Sequence, residues 1–473
     1  MSAPPAVATS PELGFSSQER EVELDALEVT GEVPAWLGGS LLRTGPSRFE
    51  VGEQRLRHWF DGLAMLHRFT IHGGRVSYGC RSLEGRTLAA ARDQGRIAYG
   101  EFATDPCRSL FKRVQTLFAP EFSDNANVNV MRLGERYVAM TEAPIPVQFD
   151  RRTLRAAGVA YKPPGELTTA HPHLDRASGG MINYAAKLGP RSTYRFFHLG
   201  PDESTPRVLS SMPVREPAYM HSFGQTERFL VLVEFPFVVN PLSLALSARP
   251  YIENYRWRPE RGTIVTLLDR NTGAAAHRFQ TDACFSFHHV NAFERDGEVL
   301  VDMCVYPDAK VISDLYLDRL RDGATISPAA LTRYRLRPAD GSLRASTLAD
   351  TDIELPRINY RRCHERPHRY VWGNAQGGSG WLERIVKVDT EDGTHIAWSQ
   401  EGCYPGEPVF VAAPGADRED EGVLLSVVLD AAAERSFLLV LDASDLGELA
   451  RAQVPHHIPF SFHGQFASHP EEG

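Results

Sequence analysis

Seven stretches of this 473-residue chain repeat one pattern, an alternating apolar strand, a polar turn and a second strand. They are RFTIHGGRVSYGCR from Arg68, VQFDRRTLRAAGV from Val147, RFFHLGPDESTPRVLSSM from Arg195, IVTLLDRNTGAAAHRF from Ile264, YRLRPADGSLRASTL from Tyr334, RIVKVDTEDGTHIAW from Arg384 and LLVLDASDLGELARAQV from Leu438. Their turns carry Gly-Gly, Asp-Gly and Asn-Thr-Gly, the residues that tight hairpins require. The units recur at a spacing on the order of 60 residues, which suits one four-stranded blade with its loops. A chain of this length ordinarily splits into domains unless it closes into a barrel, repeat or propeller. The turn count favours one closed ring over two sandwiches. The expected fold is therefore all-β, a seven-bladed β-propeller spanning 19–473, with 1–18 as a flexible leader. Inserted segments at about 107–122 and 238–258 are expected to form a helical and loop cap over one face.

Charge and hydropathy exclude several classes of function. The formal net charge of -9 speaks against a general nucleic-acid binder, since phosphate contacts need a basic surface. No run of about 18 apolar residues is present, so no membrane-spanning helix is expected. The six cysteines lack any C-x-x-C spacing, which points to free thiols in a reducing cytoplasm. One segment has clear helical periodicity: Cys107–Phe122 places Leu110, Phe111, Val114, Leu117 and Phe118 on one stripe, with Arg108, Lys112, Arg113 and Gln115 mostly off it. Such a helix either packs on the β body or lies in a membrane interface, giving peripheral contact with a bilayer.

Four histidines stand at the ends of strand-like runs beside aromatic or small residues: His171 in TTAHPHLD, His221 in YMHSFGQ, His288 in FSFHHVNAFE and His463 in IPFSFHGQF. A histidine at one strand end is ordinarily a satisfied core residue. Four far apart in the chain acquire a common purpose only in a ring, where every blade's inner strand faces one axis. Neutral imidazoles suit iron, copper, nickel or zinc, and composition does not choose among them. A metal-bound imidazole donates its other N–H to a carboxylate or carbonyl. Glu142 in YVAMTEAPIPVQF, Glu354 in TDIELPRINY and Glu407 in CYPGEPVFV sit among prolines and apolar residues, where an unpaired carboxylate is costly. His173 and His289 are the near neighbours that compete for the ligand role. Strand alternation puts His288 and His289 on opposite faces, so only one of them can point at the axis. His456 and His457 are expected on the surface of the last blade.

Read together, GSLLRTGPSRFEVG, HWFDGLAMLHRF, DNANVNV, AHPHLD, MHSFGQTERFLV, FHHVNAFE, LPRINY, YPGEPVFV, EGVLLSVVLD and FHGQF run through nearly the whole chain in order. In this the sequence resembles the carotenoid cleavage oxygenase family, its animal branch in particular. The resemblance implies a propeller with Fe(II) on its axis, His171, His221, His288 and His463 as the metal ligands, and Glu142, Glu354 and Glu407 as the carboxylates behind three of them. His171 has no such partner in the family. The implied activity is Fe(II)-dependent cleavage of a conjugated C=C bond of a carotenoid or apocarotenoid by O2, giving two carbonyl products from a lipophilic polyene. An isomerohydrolase acting on a retinyl ester and a stilbene-cleaving dioxygenase are rivals on the same iron site, and a metal-bearing binding scaffold is the rival outside enzymes. The stretch EFATDPCRSLFKRV resembles the membrane-contacting segment of animal members, with Thr104 and Arg108 where those carry Pro and Lys.

Overall fold

The computed structural model describes residues 10–105, 122–247 and 249–468. Among them, seven antiparallel sheets of four or more strands form a β-propeller. Each of the seven hairpins expected from the sequence is the outer half of one blade, as at Leu63–His72 with Arg75–Ser82 and at Arg435–Asp442 with Glu448–Gln453. The turn chemistry explains why these were legible. In the first of them Gly73 and Gly74 have φ of 55° and 76°, and the same turn recurs at Asp296 and Gly297, 52° and 78°, between the inner strands His289–Arg295 and Glu298–Val305 of the fifth blade. Positive φ at both central residues is the two-residue turn whose twist matches the flanking strands.

Both chain ends close the ring. In the first blade the C-terminal strand Gly464–Ser468 pairs with Gly39–Arg48 at the inner edge, and Val22–Leu24 pairs with Arg75–Ser82 at the outer edge. The last blade takes its outermost strand, Glu28–Gly31, from the N-terminal side. Sharing strands in this way pairs edges that would otherwise lie open.

Middle strands such as Phe229–Glu234 are buried at every position, because neighbouring blades cover both faces. Outer strands such as Ala275–Thr281 keep the alternation of a half-exposed sheet. The segment after Phe237–Val238 forms a short helix at Pro241–Leu246, capped by the Asn240 side chain, and a 3-10 turn at Tyr251–Asn254. Cys107–Phe122 lies outside the described residues except for Phe122. No helix among the described residues is long and apolar enough to cross a membrane.

The expectation of a flexible leader over 1–18 does not hold for the described residues 10–18. Pro11–Phe15 is a 3-10 helix, and Phe15 is fully buried against the rings of Trp59, Trp381 and Phe460, with centroids 6.5, 4.9 and 5.1 Å away. Arg321 Nη2 holds the Phe15 carbonyl at 2.7 Å. Residues 10–18 therefore belong to the folded body, because one aromatic residue in a polar stretch found an aromatic socket.

Candidate metal centre and its cavity

Every blade sends one histidine or glutamate toward the axis. His463 directly precedes the inner strand Gly464–Ser468 of the first blade, and Glu142 follows Arg136–Met140 in the second. His171 lies between the two short strands Leu167–Thr168 and His173–Leu174 of the third. His221 precedes Gly224–Gln225 in the fourth, and His288 precedes His289–Arg295 in the fifth. Glu354 opens Glu354–Arg357 in the sixth, and Glu407 sits between Cys403–Pro405 and Val409–Ala412 in the seventh. All but Glu354, which is paired with Asn374 at the start of its bulged strand, stand outside the paired strands, so their side chains are free to converge.

They do converge. One ring nitrogen from each of His171, His221, His288 and His463 lies within 4.8 Å of the others. Behind them, His221 Nδ1 meets Glu142 Oε1 at 2.7 Å, His288 Nδ1 meets Glu354 Oε2 at 2.5 Å and His463 Nδ1 meets Glu407 Oε1 at 2.7 Å. A carboxylate accepts, so each of these Nδ1 atoms donates and each Nε2 presents a lone pair. Yet His288 Nε2 and His463 Nε2 face each other at 3.1 Å. Two acceptors at that distance repel unless a cation takes both lone pairs. The donor set thus fits a borderline divalent metal ion. His171 Nε2 lies 3.1 Å from His221 Nε2, and no carboxylate among the described residues bonds its ring.

Burial favours the neutral form of His171, His221 and His463, the form in which an imidazole ligates a metal. Desolvation, reinforced by the neighbouring imidazoles, pushes His171 well below its ordinary value. Burial likewise lowers His463 to about 4, although Glu407 opposes the shift. At Glu407 burial alone would raise the carboxyl, but Arg357 and His463 outweigh it and hold the group well below the usual carboxylate range. The Tyr219 hydroxyl donates to Glu142 at 2.6 Å, and the Tyr306 hydroxyl donates to Glu354 at 2.8 Å.

The competing histidines turn elsewhere. His289 Nδ1 bonds Ser222 Oγ at 2.8 Å, and His173 Nε2 bonds the Phe223 carbonyl at 2.8 Å. His456 and His457 are half-buried rather than on the surface, since they pack against the N-terminal segment through Gln18 and the Ser16 carbonyl. Tyr219, Tyr306 and Arg357 were not foreseen. Tyr219 had a usable signal, two residues before His221 on the same side of an extended chain.

A cavity of about 880 Å³ opens onto His221, His288 and His463. Phe60, Phe102, Phe287, Leu244 and Trp381 line it. Phe60 stacks 6.3 Å from the His221 ring and touches Phe102, Phe287 and Phe462 at 5.1, 5.8 and 5.1 Å. An apolar cavity of this size accepts a large lipophilic molecule.

Seven blades, four axial imidazoles and an aromatic cavity opening on them define a class, the propeller metalloenzymes that act on hydrophobic substrates. Residues 15–468 match the family described as Retinal pigment epithelial membrane protein, and the chain belongs to this family of carotenoid oxygenases. It is 35% identical to a carotenoid isomerooxygenase of Galleria mellonella, over 93% of this chain and 92% of that protein. It is 33% identical to the beta,beta-carotene 15,15'-dioxygenase of Mus musculus, over 96% of this chain and 91% of the other. A solved variant of the Synechocystis apocarotenoid oxygenase superposes with a TM-score of 0.87 at 27% identity, covering 97% of this chain and 99% of that one. A cobalt-substituted form of the Synechocystis enzyme gives 0.85 at 27% identity over the same shares. The protein is an enzyme of the oxygenase class.

Proposed function

We propose that this protein is an Fe(II)-dependent dioxygenase that cleaves a conjugated C=C bond of a carotenoid or apocarotenoid with O2, leaving a carbonyl on each fragment. His171, His221, His288 and His463 would hold the ion. Once bound, Fe(II) supplies the redox chemistry that makes O2 reactive toward a polyene. The observation that carries this reading is the face-to-face approach of two Nε2 lone pairs, each fixed by a carboxylate on the far side of its ring. Glu142, Glu354 and Glu407 orient three imidazoles and raise their basicity. Phe60, Phe102 and Phe287 exclude water and hold an extended hydrocarbon beside the histidines. No side chain is required as acid or base, since both oxygen atoms enter the products.

The match to a carotenoid isomerooxygenase supports a second reading, in which double-bond isomerisation accompanies or replaces cleavage. Buried free thiols at Cys80, Cys284, Cys304, Cys363 and Cys403 suit work in a reducing cytoplasm. The deciding experiment offers β-carotene, several apocarotenals and a retinyl ester to the Fe(II)-loaded protein under ¹⁸O2 or argon and reads fragment masses and double-bond geometry. Label in both carbonyls supports dioxygenase cleavage. Product formed under argon overturns it in favour of isomerohydrolase chemistry.

A further inference from the structure

Glu354–Arg357, four residues of the sixth blade's inner strand, reaches two different histidines of the centre. Glu354 Oε2 accepts from His288 Nδ1. Three positions on, Arg357 donates from Nη2 to Glu407 Oε2 at 2.9 Å, and its Nε makes an ion-pair contact with Oε1 at 2.8 Å without the alignment of a hydrogen bond. Glu407 in turn holds His463 Nδ1 at 2.7 Å and the Gly464 N–H at 2.9 Å, while Arg357 Nη2 also takes the Gly464 carbonyl. Arg357, Glu407 and the pair His463–Gly464 thus form a closed cycle across three blades.

In a regular strand, residues three apart face opposite sides of the sheet. Here they do not, because the strand is bulged. Glu354 pairs with Asn374 and Arg357 with Trp372, three steps on one strand against two on its partner. Leu355 absorbs the extra residue with φ of +49°, a conformation that a branched apolar side chain rarely adopts. Its N–H turns onto Glu354 Oε2 at 2.8 Å, and Pro356 has no N–H to lose where the ladder is interrupted. Strain held at this point aims both side chains inward.

Glu142 and Glu354 each receive a tyrosine hydroxyl, a neutral donor that swings about one bond. Glu407 receives a planar guanidinium that contacts both of its oxygens. Its Nη2 ties Oε2 to the Gly464 carbonyl beside His463, a span that a lysine ammonium, a point charge on a flexible stem, does not hold in one geometry. We propose that Arg357 is a positioning residue for the metal centre, locking Glu407 and hence the ring of His463, and that the bulge at Leu355 serves to place it. This rests on the reading that the four histidines hold a divalent ion.

The test uses the full chain and Co(II), with the apparent dissociation constant measured by chelator competition and the visible d–d spectrum recorded for the wild type and for Arg357→Met, Arg357→Lys and His463→Ala. Arg357→Met should weaken Co(II) binding about 10–100-fold and alter the spectrum, as losses behind a metal ligand do. Arg357→Lys should fall between it and the wild type. Wild-type affinity and spectrum in both arginine variants, or tighter binding from removal of a positive charge, overturns the proposal while leaving the metal centre intact. If the wild type takes up no Co(II), or His463→Ala binds it equally well, the four-histidine reading falls and this one with it. Should Arg357→Met fail to fold, Arg357→Lys decides alone: an unchanged affinity and spectrum refutes a geometric role.

Discussion

Glu354 holds His288 at 2.5 Å with one oxygen, while the other takes the Tyr306 hydroxyl at 2.8 Å. Burial alone would raise this carboxyl, but the His288 ring outweighs it and keeps the group ionised. Glu354→Gln keeps the shape and one acceptor but loses the charge. We expect the variant to fold, to bind a divalent metal about 10–100-fold more weakly and to turn over more slowly in proportion. Unchanged metal affinity and turnover would remove Glu354 from the support of His288.

The four inward histidines and their outward-turned neighbour make a direct contrast. His221→Ala and His463→Ala each delete a converging nitrogen and take one donor from the carboxylate behind it, Glu142 or Glu407. Purified from iron-supplemented cells, both should contain little iron by elemental analysis and show no cleavage. His289→Ala removes only the bond to Ser222 and should retain full iron. Equal iron in all three would undo the ligand assignment.

Acid should unfold the metal-free protein through histidines remote from the centre. Burial lowers His58 and His67 to about 3, and burial with the nearby His173 lowers His364 to about 2. Each folded-state value lies below the ordinary 6.5, so the unfolded chain binds more protons between the two. Stability is complete above about pH 6.5 and is lost as pH falls toward about 3. At pH 5 each ring would cost up to about 2 kcal/mol. The thermal midpoint should drop markedly between pH 7.5 and pH 5, and His67→Gln should flatten that slope. A midpoint independent of pH would contradict these buried neutral rings.

What could be read beforehand follows from which residues face water. The outer hairpins keep their alternation because one side is exposed, so strands such as Ala275–Thr281 announced their blades. Inner strands carried no period: Leu167–Thr168 and Gly224–Gln225 are two residues long and broken where they deliver a histidine. Helices such as Lys310–Asp314 and Leu317–Arg321 are too short to show a stripe. The histidines and glutamates stood out as polar residues in apolar settings. Arg357 did not, since an arginine after a proline is ordinary until the register of a bulge shows where it points. Phe60 was hidden for the same reason, as one aromatic residue among 24 phenylalanines.

Phe60 shows how the fold brings hydrocarbon and histidine together. It occupies the 3-10 turn Trp59–Asp61, which is pinned at both ends: Phe60 N–H donates to His58 Nδ1 at 3.1 Å, and Asp61 Oδ2 accepts from the His58 N–H at 3.0 Å. The ring cannot drift, and it stacks on His221 while meeting Phe102, Phe287 and Phe462. None of these contacts reaches a metal-facing nitrogen, so Phe60→Ala should keep a full complement of iron. It should instead loosen the wall that holds the polyene, and a misplacement on the order of 1 Å costs about 100-fold in rate. We expect kcat/KM to fall 10-fold or more, with fragments from more than one double bond appearing by mass spectrometry. Wild-type kcat/KM and a single fragment pair would show that the substrate lies elsewhere in the cavity, away from the His221 ring.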